Sequence, residues 1–206
     1  MDRIHNSWKP LFERYEIDLD DIYNSENTIY PEKKNVFNAF SIPVDKIKVL
    51  LLAQDCYHDG SANGYCFSCD FKIPPSLRNI YKELQDEFPE RNYKFSNGNI
   101  NIWSDRENIF LLNCALTVEK GIPSSHMDIW KEFTDDVIRY VDDNNKKCVY
   151  LLLGNFAKNK KNLIKNKGNI VEGVHPSPFS ANNGFFGSNV FKNVEEKIGS
   201  VIDWNI

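Results

Sequence analysis

Four short blocks of this chain are almost continuously apolar: residues 48–53, 108–112, 148–153 and 169–174. The first three carry Val, Leu, Ile or Phe at nearly every position, as parallel strands covered on both faces require. The fourth, "NIVEGV", is more mixed and predicts an edge strand. Between the blocks the apolar period changes to that of a helix. Leu77, Ile80, Tyr81, Leu84 and Phe88 recur on one face, with Ser76 as the predicted N-cap. Trp130, Phe133, Val137, Tyr140 and Val141 line a second helix that follows "SSHMDIW", which makes His126 a helix-start residue. Further helices are predicted to begin near Phe156 and near Ser188. Strands alternating with helices predict an α/β fold with a central four-stranded parallel sheet, flanked by helices and joined by right-handed crossovers. The 206 residues suffice for one such domain over 1–206, with 1–45 as a helical and loop-like approach packed on it.

The strand ends carry the chemistry. In an open α/β sheet, ligands bind beyond the carboxyl ends of the strands. Here those ends deliver Gln54, Asp55, Tyr57 and His58; then Asn113; then Gly154 and Asn155; then His175 and "PSPFS". One polar residue after a strand is ordinarily a turn or a cap. Four strands doing so at one edge predict a site. Its inventory is a carboxylate, imidazoles, an amide and hydroxyls, with no Walker loop and no GxGxxG. That set suits a planar, amide-bearing ligand. A Ser–His–Asp esterase built on Ser177 or Ser68 is an alternative, but neither serine sits on a GxSxG elbow.

Composition narrows the classes. Net charge is −4, so the chain as a whole does not advertise a polyanion partner. Locally, Lys158, Lys160, Lys161, Lys165 and Lys167 occur with no acid among them, either a solvated helix face or a foothold for a polyanion. Five irregularly spaced cysteines make a poor disulfide framework and predict reduced thiols. Cys66 and Cys69, with Cys56 and His58, are the material for a zinc site, but a second paired ligand set is missing, so no metal and no cofactor is expected. No apolar run approaches the ~20 residues of a membrane helix, and the N-terminus carries no targeting pattern. An intracellular protein, in nucleus or cytoplasm, is therefore expected.

Several motifs, in order and over nearly the whole chain, resemble those of the family 1 uracil-DNA glycosylases. "AQDCYHDG" resembles GQDPYHG, "IPPSLRNIYKEL" the Pro-rich loop and its helix, "FLLNCALTV" the LLNxxLTV strand, and "HPSPFS" the HPSPLS loop. "TIYPEKKNVFNAF", "GFFGSNVF" and "IDWNI" are similar to further segments of that family. The resemblance implies metal-independent hydrolysis of the bond between uracil and deoxyribose, after the nucleotide is flipped out of the duplex. It implies catalytic roles for Asp55, His175 and His58: Asp55 orients the water and faces the sugar cation, His175 stabilises the uracil anion, and His58 supports the water or Asp55. It implies uracil contacts from Gln54, Tyr57, Phe67 and Asn113, with Phe67 stacking, Asn113 reading the base edge and Tyr57 excluding a thymine methyl. It implies DNA contacts from Ser76, Gly154, Asn155 and Ser177 at phosphates, and from Phe179 as the wedge. Uracil-containing DNA, single- or double-stranded, is the expected partner of a monomer. A protein inhibitor or a replication partner is the further expectation, at a viral replication site if the source is viral.

The chain also departs from the family. Cys56 replaces a Pro that would stiffen the loop. Asp59 replaces a Gly and places a carboxylate near the DNA path. Asn155 replaces Ser, Phe179 replaces the wedge Leu, and Asn183 stands where many relatives have Arg. These changes bear on rate and affinity more than on reaction type. Three other readings stay open: a catalytically weakened DNA-binding or replication-associated protein on this scaffold, a glycosylase for another lesion, and an unrelated α/β hydrolase or nucleotide-binding domain.

Overall fold

The computed structural model describes residues 3–206; the first two residues of the expected domain lie outside that range. Four parallel strands form the central sheet: β1 (Val49–Ala53), β2 (Ile109–Asn113), β3 (Val149–Leu153) and β4 (Ile170–Gly173), in the spatial order β2-β1-β3-β4. Every residue of β1, β2 and β3 is buried, which is why their sequences do not alternate. Leu51 pairs with Leu111 on one side and Leu151 on the other, so β1 runs through the centre. β4 has a partner on one side only, and its Glu172 is exposed, as the mixed pattern predicts for an edge.

Helix α1 (Pro75–Glu87) and the shorter α2 (Asn101–Glu107) connect β1 to β2. Helix α3 (Met127–Asn144) connects β2 to β3. Helix α4 (Asn155–Asn159), extended by a 3-10 turn, leads towards β4, and α5 (Val190–Ile198) follows it. Chain order and spatial order diverge on the two sides of β1. The crevice between the carboxyl ends of β1 and β3 is therefore the switch point of the sheet, where such folds bind ligands.

One local expectation needs correction, and two elements carry no sequence signal. Ser76 is not the N-cap of α1. Pro74 precedes the helix and Pro75 occupies its first position, where a missing N–H costs nothing, so Ser76 is the second helical residue. Helix α2 was not foreseen, because its seven residues bury only Trp103 and Ser104 and show little periodicity. A two-stranded ribbon, Ile29–Tyr30 against Val118–Glu119, was also not foreseen, being too short to show a pattern.

The segment before β1 contributes to the core through its aromatic rings. Trp8, Phe12, Phe37 and Phe40 pack edge to face among themselves, Phe40 likewise against Phe110 and Phe12 against Phe133, and Trp8 Nε1 donates to the Ile42 carbonyl at 2.9 Å. At the far end, Trp103 Nε1 donates to the Trp204 carbonyl at 2.8 Å. Arg91 grips the Glu195 carboxylate with two bonds of 2.6 Å, the bidentate fork that guanidinium geometry favours. Between these anchors, α1 holds the turn before α5. Buried Glu83 accepts from the amides of Gly187 and Ser188, and buried Glu87 from those of Phe191 and Lys192. Glu87 thus takes two first-turn amides of α5 that the helix itself cannot bond, and Glu83 takes the turn just before it.

Candidate active site

β1 ends at Ala53 and projects the next residues into the switch point. The ladder continues beyond the strands: the Cys114 amide donates to the Ala53 carbonyl and the Ala115 amide to the Gln54 carbonyl. That pairing fixes the two segments bearing Asp55 and Asn113 side by side.

Asp55 is half-buried. Its Oδ1 accepts from the Cys56 amide at 3.0 Å and its Oδ2 from the Ser124 amide at 2.5 Å. Burial pushes its pKa up, and the two amides, His58 and His126 pull only partly against it. His58 acts on Asp55 through space; its ring makes no hydrogen bond among the described residues. His126 is buried at the start of α3. Thr117 Oγ1 accepts from Trp130 Nε1 at 2.6 Å and lies 2.8 Å from His126 Nδ1, so the imidazole is part of a structural network.

Ser124 was missed by sequence reasoning. Its backbone has a left-handed φ of 64°, which turns its amide onto Asp55, while its Oγ accepts from Gln54 Nε2 at 2.9 Å. One residue thus clamps two site residues from 69 and 70 positions away. The "PSS" turn before α3 was its only sequence signal.

His175 follows β4 and is half-buried. Its Nδ1 accepts from the Ser177 amide at 3.0 Å. Burial lowers its pKa, so the ring is neutral near pH 7. With Nδ1 an acceptor, the proton sits on Nε2, which is left as a donor. Gly154 packs directly behind the ring. A Cβ there would lie 2.7 Å from His175 Cβ, and Gly154 has a φ of 88° and a ψ of 167°, so only glycine fits. Gln54, Gly154, Asn155, His175 and Ser177 line a cleft of about 310 Å³.

Phe67 is buried beside this cleft, its ring centroid 5.9 Å from that of His175. Its φ of 60° is rare for a bulky residue, and such strain concentrates at functional sites. The Cys66 amide bonds the Leu111 carbonyl at 3.1 Å, and Tyr57 donates to the Phe67 carbonyl at 3.4 Å, which hold the strained turn in place. Asn113 is 5% exposed. Its Nδ2 donates to Cys56 Sγ at 3.7 Å. Its Oδ1 and the Ser104 hydroxyl are the buried side-chain polar atoms without a partner among the described residues. Such an atom carries a desolvation penalty of about 1–3 kcal/mol unless a ligand supplies a donor.

Ser76 stands in the first turn of α1. Nearby in that helix, Asn79 Nδ2 donates to the Pro176 carbonyl at 2.7 Å and ties α1 to the loop of His175 and Ser177. Phe179, at the tip of that loop, is 96% exposed. So Asp55, Tyr57, His58, Phe67, Asn113 and His175 gather at one edge of the sheet; Asn155 and Ser177 line the cleft, Phe179 follows Ser177 at the loop tip, and Ser76 lies one turn before Asn79 in α1.

The alternatives fare differently. Ser68 is fully buried and its hydroxyl accepts from the Ile100 amide at 3.1 Å, which leaves no nucleophile. His175 takes the amide of Ser177, not its hydroxyl, so no Ser–His pair forms. The thiols of Cys56 and Cys66 are committed to the carbonyls of Ala115 and Leu51. The lysine-rich segment is largely neutralised by distant acids: Lys160 pairs with Asp135, Lys161 with Glu172 and Lys165 with Asp143. Its sequence isolation from acids does not survive folding. Asp59 likewise does not present a bare charge. Despite partial burial, Lys72 at 2.5 Å and Ser61 hold its pKa down to about 2.

The model of the uracil DNA glycosylase superfamily matches residues 40–199. The chain belongs to that superfamily. A uracil-DNA glycosylase of Fusobacterium nucleatum is 42% identical over 100% of this chain and 98% of its own length. One from Borreliella burgdorferi is 48% identical over 82% of this chain and 78% of its own. Among solved structures, a mimivirus UNG in complex with UGI superimposes with a TM-score of 0.88 at 24% identity, covering 98% of this chain and 89% of that one. At that identity the superposition speaks for the fold alone. The matched span contains every residue placed at the cleft and its mouth.

Proposed function

We propose that this protein is a DNA-repair hydrolase that releases uracil from DNA. The observation that carries the reading is the orphaned Asn113 Oδ1, an acceptor buried at the carboxyl end of β2. Uracil offers an N–H at N3 flanked by carbonyls. Oδ1 accepts that proton while Nδ2 donates to O4. Cytosine reverses both groups and leaves buried polar atoms unpaired, a discrimination worth powers of ten.

In the proposed reaction the C1′–N1 bond breaks and its electron pair stays on uracil, leaving an oxocarbenium-like sugar. The neutral His175 donates Nε2–H to the developing charge at uracil O2, a preorganised stabilisation of the kind that often dominates catalysis. Asp55 offsets the cationic sugar and orients the water whose oxygen bonds C1′, and the water's proton leaves through the carboxylate. Its two amide bonds keep the carboxylate fixed. His58 supports it electrostatically. Phe67 stacks on the flipped base, Tyr57 closes the space near C5, and Gln54, held by Ser124, bonds the base carbonyls. Ser76, Gly154, Asn155 and Ser177 contact phosphates, and exposed Phe179 fills the gap in the stack. No helix of the described residues is long and apolar enough to cross a membrane. An intracellular site of action, and a protein inhibitor such as the UGI bound to the mimivirus relative, belong to the same proposal.

The test is release of uracil from an oligonucleotide carrying one deoxyuridine, with Asp55→Asn alongside. The expected loss in the variant is about 10²–10⁴-fold, the span of positioned acid–base groups. Equal release by both proteins removes Asp55 from the mechanism. Binding without release by the wild type overturns the reading in favour of a DNA-holding protein.

A further inference from the structure

We infer that the Cys56 thiol is a specificity-determining positioning residue, which sets the orientation of the Asn113 amide and thereby the choice of uracil over cytosine. The inference rests on the proposed function, but its geometry is independent of it.

Cys56 stands where the related motif has proline, and its thiol is buried between the two segments that carry the site. Its S–H donates to the Ala115 carbonyl at 3.0 Å. With that hydrogen committed, the sulfur presents only lone pairs to Asn113, whose Nδ2 lies 3.7 Å away. A thioether or thiol sulfur is a weak acceptor, yet it discriminates an N–H from a carbonyl oxygen by sign. Turning the amide over would place Oδ1 against those lone pairs and Nδ2 where Oδ1 now stands. The sulfur therefore selects the orientation in which Oδ1 is the unpartnered atom. Nδ2 keeps its second hydrogen for the ligand.

The two orientations read different bases. Oδ1 towards N3 and Nδ2 towards position 4 match uracil. The reverse matches cytosine, whose N3 accepts and whose N4 donates. Proline could not make this contact, since it has neither the sulfur nor the amide that Cys56 gives to Asp55 Oδ1 at 3.0 Å. Burial raises the thiol pKa, so the S–H donor persists across the neutral range.

Three proteins decide it: wild type, Cys56→Ala and Cys56→Ser. Serine keeps the donor–acceptor pattern; alanine removes it. Measured are single-turnover excision of uracil and of cytosine from matched oligonucleotides, inhibition by free uracil, and melting temperature. In Cys56→Ala the uracil-to-cytosine ratio and the affinity for free uracil each fall about 10-fold, equivalent to ~1.4 kcal/mol, and Cys56→Ser recovers most of both. An unchanged ratio in Cys56→Ala overturns the proposal. So does an equal loss in both variants that tracks melting temperature, because that is the behaviour of a packing residue. A second readout needs no catalysis. In labelled wild-type protein, the Asn113 side-chain amide protons show cross-peaks to the Cys56 side chain, and their absence refutes the orientation. If the wild type releases no uracil, the proposed function fails, and this spectrum still decides what the thiol does.

Discussion

Gly154→Ala tests whether the backbone turn after β3 sets the position of His175. The new Cβ would lie 2.7 Å from His175 Cβ and 3.3 Å from Cγ and Cδ2 of the ring. Carbon atoms sit comfortably at about 3.5–4.0 Å, so the loop or the imidazole must give way by about 1 Å. A displacement of that size at a reacting group can cost about 10²-fold in rate. The backbone adds its own penalty. The φ of 88° and ψ of 167° lie in a region open essentially to glycine, at a cost on the order of 1–3 kcal/mol. A loss of about 2 kcal/mol lowers the melting temperature by roughly 4–8 °C in a domain of this size. Gly199→Ala separates the two effects. Gly199 also has a positive φ, 71°, but a Cβ there meets nothing within 4 Å, so it costs stability and spares the site. Expected are a loss of melting temperature in both variants, smaller in Gly199→Ala because it meets no neighbour, and a fall of about 10²-fold in kcat for uracil release in Gly154→Ala only. Full kcat in Gly154→Ala refutes the claim that Gly154 positions the imidazole.

Two further predictions concern pH. In the proposed reaction Asp55 acts as the carboxylate and burial raises its pKa, so kcat/KM is expected to be full above that raised pKa and to be lost as pH falls through it; a pH–rate profile whose acid limb sits at the ordinary carboxylate position contradicts the proposed burial of the charge. Burial, reinforced by its neighbour Glu83, raises Glu87 to about 7 against the pull of the Lys192 and Phe191 amides. The folded state then holds a proton that the unfolded state releases near 4.5. The stability from this group is full below about 4.5 and is lost as pH rises towards 7. Denaturant titrations should show a smaller decline over that range in Glu87→Gln than in wild type, and parallel curves would refute the shift.

The sheet was legible because a strand buried on both faces has to be apolar at every position, and three such runs stand out in the sequence without any knowledge of their partners. The order of elements and the edge place of β4 followed from the same patterns. The polar groups at the strand ends were legible because the topology sends every parallel strand's carboxyl end to one side. The short elements were not: α2 and the Ile29–Tyr30 ribbon lack the length to display a period. Nor was the pairing of charges. Lys160 and Asp135 are 25 residues apart, and Asp59 meets Lys72 across a turn, so their neutralisation exists only once the chain is folded.

The same division runs through the site. Residue types at the strand ends determined what chemistry was available, because a carboxylate, an imidazole and an amide keep their character in any fold. Tertiary structure alone decided their states. Ser124 reaches Asp55 from another loop, Ser177 fixes the tautomer of His175, and Cys56 takes the Nδ2 of Asn113 while its Oδ1 stays buried without a partner. Local sequence sets which groups a segment can offer; distance in three dimensions, which the chain reaches only by burying its core, sets which of their lone pairs and protons remain free to act.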